Sequence, residues 1–299
     1  MKTVISASRR TDLIAFFPDW LAAALRTRRA RVLGPRGGVR EVSLAPEDVH
    51  TVVLWSKDFR NLVRDAHGLR RLLSVYDQLY LHFTVTGLGG TDLEPGVPPP
   101  DAALAELDDL VDVVGDPRRI SLRVDPIVFW RDGAAVRTNV PFVETAARRA
   151  AAAGIVDLRF SLAQWYVKAK NRAAGRRFLF FDPADEEKIR TARTVAAAAE
   201  AHGLTPAVCS QSFLATGAGI RPSSCINGRR LSDLHPRREP AALGKDRSQR
   251  PDCLCTESVD IGSYTQSCPH SCVYCYANPE VGVRSRGRGA RPAPAGAFP

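Results

Sequence analysis

Short runs rich in β-branched and aromatic residues recur along the chain, and most are followed by stretches with helical apolar spacing. Six runs predict strands: Thr3–Ala7 (TVISA), Thr51–Lys57 (TVVLWSK), Leu79–Thr86 (LYLHFTVT), Arg119–Val128 (RISLRVDPIV), Val156–Ala163 (VDLRFSLA) and Thr205–Ser210 (TPAVCS). Between them the pattern predicts helices over Pro18–Arg29, Arg60–Val75, Asp101–Val114, Pro141–Ala153 and Pro183–Gly203. The last has the clearest boundaries. Asp182 is placed to cap it, Pro183 suits the first turn, acidic residues favour the positive helix end, and Gly203 is a stop.

Strands alternating with helices argue for a parallel sheet covered by helices. Charged and polar residues recur at the C-terminal ends of the strands: Arg9, Arg10 and Asp12, then Lys57 and Asp58, Arg123 and Asp125, Gln164, and Gln211. Barrels assemble their active sites at that end from separate loops, so a partial (β/α)6 TIM-like barrel is favoured over an open doubly wound sheet. Val32–Leu44 reads as a hairpin with a Gly-rich turn, and Thr86–Pro100 as a long Gly/Pro loop. Its GLGG lacks the spacing and following helix of a phosphate-binding fingerprint. The expected organisation is a barrel over residues 1–216, a cysteine-rich segment over 217–280 packed on it, and a disordered basic tail over 281–299.

Composition narrows the class. With 44% hydrophobic and 25% charged residues in 299, the chain can bury a core and is not disordered. The net charge of +10 raises nucleic acid as a partner. That claim is weak, because Arg284, Arg286, Arg288 and Arg291 belong to the tail. No apolar run approaches the ~20 residues of a spanning helix, and the N-terminus has no signal-peptide pattern. A cytoplasmic protein with no membrane contact is therefore expected, and there clustered thiols bind metal more often than each other.

Seven cysteines are too sparse, and odd in number, for a disulfide scaffold. Cys268, Cys272 and Cys275 are spaced C-x3-C-x2-C in CPHSCVYCYAN. Three thiolates on a [4Fe–4S] cube leave one iron open, whereas structural zinc takes four ligands, commonly from C-x2-C pairs. Zinc and another iron–sulfur role stay open on spacing alone. The remaining four, Cys209, Cys225, Cys253 and Cys255, are candidates for an auxiliary iron–sulfur cluster or zinc site, with Cys209 reading equally as a buried apolar residue. His270, inside the loop, reads as a partly exposed residue.

C-x3-C-x2-C with aromatic Tyr274 before the last cysteine resembles the cluster loop of the radical S-adenosylmethionine (SAM) superfamily. The resemblance implies a [4Fe–4S] cluster whose open iron binds SAM, reductive cleavage of a carbon–sulfur bond, and hydrogen abstraction from a substrate. It also implies a partial (β/α)6 barrel and an electron donor of flavodoxin or ferredoxin type. Glu257 and Asp260 are candidates for SAM contacts. The departure is the position of the motif, which in that superfamily follows the first strand and here lies near the C-terminus. No Gly-Gly-Glu segment follows the second strand.

A second resemblance spans nearly the whole chain. SASRRTDLIAFF, SLAPEDVHTVVLWSKD, LHFTVTGLG, DLEPGVPP, RVDPIV, SSCINGRRLSDL and KDRSQRPDCLCTESVDIGSYTQSCPHSCVYCYAN are similar, in order, to domain-of-unknown-function family 1848. Membership leaves the substrate open.

Arg9, Arg10 and Asp12 are candidates for clamping an anionic substrate, since Arg offers a planar fork. Lys57 is a similar candidate, and Arg123 and Asp125 project to one face by strand alternation. Trp55, Trp130 and Trp165 read as core residues. No Ser/His/Asp arrangement or GxSxG motif supports a hydrolase. The reading is a radical SAM-type enzyme of unknown substrate. Its rivals are a non-catalytic zinc module with a basic nucleic-acid-binding face and an iron–sulfur electron-transfer or redox-sensing protein.

Overall fold

Each of the six predicted runs forms a strand, and all six lie side by side in one parallel sheet. The computed structural model describes residues 1–34, 37–174, 176, 178–277 and 279–280. The strands are β1 (Thr3–Ala7), β2 (Val49–Ser56), β3 (Leu79–Thr84), β4 (Ile120–Ile127), β5 (Asp157–Leu162) and β6 (Thr205–Cys209). Two short strands that the pattern did not predict complete the sheet: β7 (Pro222–Ser223) beside β6, and β8 (Val259–Asp260) beside β1. The eight strands run in the order β7-β6-β5-β4-β3-β2-β1-β8.

The expected α/β fold around one large parallel sheet is present. The sheet is open, ending at β7 and β8, and no closed barrel forms among the described residues. From β1 to β7 the strand order is sequential, and β8 alone pairs on the other side of β1.

Strand alternation gives the sheet two different faces. One carries Ile5, Val52, Leu54, Leu81, Phe83, Leu122, Phe160 and Val208. They pack against Leu21 and Leu25 of helix Pro18–Thr27, Leu110 of Leu107–Val114, Ala146 and Ala150 of Phe142–Ala152, and Val195 and Ala199 of Asp185–Glu200. The opposite face has Val4, Val53, Trp55 and Tyr80 under Cys225, Ile226, Leu231, Ala241, Cys253 and Cys255. A second helix layer usually covers that face of a parallel sheet. Here the cysteine-rich segment covers it and also supplies β7 and β8.

Between its apolar residues the covered face carries polar ones: Ser6, His82, Ser121 and Arg159 are all buried. Arg159 forms an ion pair with Asp157 at 2.8 Å and donates to the Ser224 carbonyl, pinning the cover to the sheet.

Several predicted boundaries move. The stretch Arg60–Val75 divides into helices Arg60–Val63 and Leu69–Leu73 around a 3-10 turn, and Asp101–Val114 divides into Pro100–Leu104 and Leu107–Val114. The last long helix begins at Asp185 with Ala184 as its cap; Asp182 instead pairs with Lys188 at 3.0 Å. β4 runs through Pro126 with a register shift between Val124 and Ile127. The predicted hairpin is Arg29–Leu33 with Val39–Ser43. A small antiparallel sheet of Phe129–Asp132, Ala135–Thr138 and Leu179–Phe180 was not predicted. The predicted tail, 281–299, lies outside the described residues. No described helix is long and apolar enough to cross a membrane.

Candidate functional site

Over the C-terminal ends of β1, β2, β4, β5 and β6 lies a cavity of about 260 Å³ lined by all seven cysteines. Cys268, Cys272 and Cys275 approach it from the β1 side, and Cys209, Cys225, Cys253 and Cys255 belong to the β6 end and the cover.

The three-cysteine loop reaches this place through β8. Val259 and Asp260 register with Ile5 and Ser6 of β1, and Ile261 N–H donates to the Ser6 carbonyl at 3.0 Å. Asp260 fixes the junction. It accepts from Ser6 Oγ, Ser8 Oγ and Arg9 N at 2.8 Å each, and from Gly262 N at 3.0 Å. The chain therefore enters the cluster loop beside the C-terminal end of β1, although the two segments are far apart in sequence.

The loop is then held on several sides. Gly96 N–H donates to the His270 carbonyl at 3.1 Å, and a Cβ on Gly96 would lie 2.3 Å from the Pro269 carbonyl oxygen, so only glycine fits this close approach. His270 is 2% exposed, which corrects the partly exposed placement expected of it. Its Nδ1 faces the Gly96 carbonyl at 3.0 Å and its Nε2 faces Asp12 Oδ2 at 2.8 Å. The ring thus bridges the Gly96 carbonyl and the Asp12 carboxylate. Val273 N–H donates to the Leu93 carbonyl at 3.0 Å, and Arg172 donates to the Val273 carbonyl at 3.1 Å and to that of Cys275. Cys272, Val273 and Tyr274 pack against Leu88, Leu93, Val97 and Val128.

Tyr274 lines the cavity, and its hydroxyl donates to the buried Glu94 carboxylate. The same oxygen accepts from Lys57 Nζ at 2.9 Å and Thr86 Oγ1 at 2.6 Å. Burial opposes the charge of Lys57, but the Glu94 carboxylate outweighs it and holds the ammonium form. Burial pushes the Cys268 thiol up to about 12, with the Asp12 charge adding to the effect. It raises Cys272 and Cys275 too. Such thiols stay neutral until a cation compensates the thiolates, which is what metal ligation does.

On the opposite wall Cys209 Sγ lies 3.6 Å from Cys225 Sγ. His82 Nε2 meets the Cys225 carbonyl at 2.9 Å, and the ring stacks on Trp55 with centroids 4.0 Å apart. Burial, joined by Arg159, pushes His82 down to about 3, so the ring is neutral and donates to that carbonyl. Between the two walls Arg123 pairs with Asp125, which also accepts from Ser161 Oγ, and lies over Trp55 at 5.2 Å.

Arg9, Arg10, Asp12, Lys57, Arg123, Asp125, Gln164 and Gln211 all line the cavity. Asp12 is occupied in holding backbone. It caps Leu13–Phe16 and accepts from Ser56 Oγ, Lys57 N and His270. Arg9 reaches Ser258 Oγ at 2.7 Å and Asp246 at 3.3 Å, and Arg10 reaches the Gly262 carbonyl at 2.6 Å. Arg9 Nη1 and Arg123 Nε are buried without a hydrogen-bond acceptor among the described residues. Asp260 has its oxygens taken up by β1, and Glu257 is exposed; neither lines the cavity. His82, Glu94, Arg159, Arg250 and Tyr276 escaped sequence reasoning. The readable signal for His82 and Arg159 was alternation: LYLHFT and DLRFSL place a charged or polar residue among apolar ones on strands that end up mid-sheet.

Outside the cavity, Asp77, His235 and Glu239 bring ligand atoms within 4.8 Å of one another. Lys2 pairs with both carboxylates, at 3.4 and 3.0 Å, and so does Arg237. This is a neutralised ion-pair knot.

The sequence model of the family described as "Domain of unknown function (DUF1848)" matches residues 4–277. No curated protein matches. Among solved structures, one titled "Crystal structure of D-hydantoinase" is similar with a TM-score of 0.34 and 14% identity, over 72% of this chain and 44% of that one. The chain thus spans less than half of that structure.

Proposed function

Because the chain belongs to the DUF1848 family, whose model spans both cysteine groups, we propose a function from the cavity on which those groups converge: a radical SAM-type enzyme. In this reading Cys268, Cys272 and Cys275 hold a [4Fe–4S] cluster, and SAM and substrate share the cavity.

The observation that carries the reading is the course of β8. It places the C-x3-C-x2-C loop immediately after a parallel strand, at the C-terminal edge of the sheet and next to β1. Counted from β8, the sheet has the motif after its first strand, and the displacement seen in the sequence becomes a permuted order. The sequential order from β1 to β7, with the longer helices on one face, supports reading the open sheet as the wall of a partial barrel.

The donor set fits the group. Three thiols line the cavity, Gly96 makes room for their loop, and Arg9 and Arg123 line the same space. When bound and reduced, such a cluster supplies the electron that cleaves a carbon–sulfur bond of SAM. This chain's residues do the holding. Asp12 and His270 fix the loop, and Lys57 with Glu94 orients Tyr274 behind it. Arg9 and Arg123 offer hydrogen bonds to a carboxylate in the cavity. The reading includes a flavodoxin- or ferredoxin-type donor and a cytoplasmic setting.

The test is anaerobic reconstitution, then dithionite and SAM, with detection of 5′-deoxyadenosine. Formation that is lost in Cys272→Ser is the expected result, and no product from protein with a verified cluster overturns the assignment.

A further inference from the structure

The second cysteine group has no part in that reading. Cys209 ends β6, Cys225 follows β7, and Cys253 and Cys255 come from the loop before β8. Their sulfurs form a chain of contacts, from Cys209 to Cys225 at 3.6 Å, then to Cys255 and on to Cys253. Backbone N–H groups point at them, as Ile226 N does at Cys255 Sγ at 3.4 Å and Cys255 N does at Cys253. Cys225, Cys253 and Cys255 are 6%, 8% and 3% exposed.

Four touching thiols are a poor choice for packing alone, since methyl groups fill space as well. N–H donors aimed at sulfur favour the thiolate, and adjacent thiolates repel unless a cation stands between them. A tetrahedral zinc with bonds near 2.3 Å sets its sulfurs about 3.8 Å apart. The Cys209–Cys225 contact matches one such edge. No three of the described sulfurs are mutually within 4.8 Å, so a four-thiolate site requires Cys209 and Cys253, the ends of the chain, to close in.

We propose that Cys209, Cys225, Cys253 and Cys255 form a closed four-thiolate zinc site, separate from the three-cysteine loop. With four protein ligands it has no open position for substrate. Its effect is to tie the cover to the end of β6 and so fix the wall of the cavity opposite the cluster loop.

Zinc, iron and acid-labile sulfide are measured per chain in full-length protein purified anaerobically. The comparison is between wild type, the triple variant Cys268→Ser/Cys272→Ser/Cys275→Ser, and the double variant Cys253→Ser/Cys255→Ser. One zinc is expected in wild type and in the triple variant, and none in the double. Because the triple variant lacks the cluster ligands, this result stands apart from the fate of the radical SAM reading. Cobalt exchanged into the triple variant gives a second readout that needs no further mutation: intense thiolate-to-cobalt charge transfer with tetrahedral visible bands. The proposal is overturned by zinc that persists in the double variant, by a Cys209–Cys225 disulfide, or by iron and sulfide that survive in the triple variant. Absence of the cobalt bands overturns it as well.

Discussion

Replacing Asp12 by alanine removes one acceptor shared by three elements. Its carboxylate accepts from Ala15 N at 3.0 Å, Ser56 Oγ at 2.8 Å, Lys57 N at 2.9 Å and His270 Nε2 at 2.8 Å. Ser56 can turn to the Asp58 carbonyl, already at 2.8 Å, and the helix N-terminus loses only its cap. Lys57 N and the buried His270 ring lose their acceptor. Each unsatisfied buried donor costs about 1–3 kcal/mol and a lost cap about 1. Asp12→Ala should therefore cost about 3–7 kcal/mol, a large part of a domain's usual ~5–15 kcal/mol. Asp12→Asn keeps one oxygen and should lose roughly half as much. Urea unfolding followed by circular dichroism measures the loss, and iron content after anaerobic reconstitution reports the loop. An alanine variant within about 1 kcal/mol of wild type, with wild-type iron, would refute the role of Asp12 in docking the loop.

Gly96→Ala forces a Cβ to within 2.3 Å of the Pro269 carbonyl. It should cost about 1–3 kcal/mol and lower iron loading several-fold with the far-UV spectrum kept, as metal analysis and circular dichroism would show. Lys57→Met leaves Glu94, 0% exposed, without its ion partner, so about 3–5 kcal/mol should be lost in urea unfolding. Adding Glu94→Gln should recover part of it. Burial, with the Asp58 charge, pushes Glu106 up to about 7 from 4.5. A carboxyl that holds its proton more tightly when folded favours folding below its unfolded value, and that advantage is lost as pH rises through about 7. Glu106→Gln should therefore be more stable than wild type by about 1–3 kcal/mol at pH 8, with the difference shrinking toward pH 4.5. Melting temperatures across that range would test it, and a pH-independent difference would contradict it.

The sheet was legible because mid-sheet parallel strands are apolar runs set off by Gly, Pro and charge. Helix boundaries were less so. The stretch 60–75 has helical spacing throughout, yet Asp65, His67 and Gly68 adopt left-handed φ angles of 53°, 56° and 74° and break it. β7 and β8 are two residues each, too short for any periodicity. The spacing of Cys268, Cys272 and Cys275 was readable, but their position was not, because it depends on the long-range pairing of β8 with β1. Glu94 sat unnoticed in the Gly/Pro loop 86–100. It gains meaning only when that loop folds against Tyr274 and Lys57.

We propose that the cavity carries a SAM-cleaving cluster on Cys268, Cys272 and Cys275. The most direct test is chromatography of an anaerobic mixture of reconstituted protein, dithionite and SAM. 5′-Deoxyadenosine is expected from wild type and not from Cys268→Ser, Cys272→Ser or Cys275→Ser. Wild-type protein with four irons and four sulfides on this loop, yet no 5′-deoxyadenosine above a protein-free control, would contradict it.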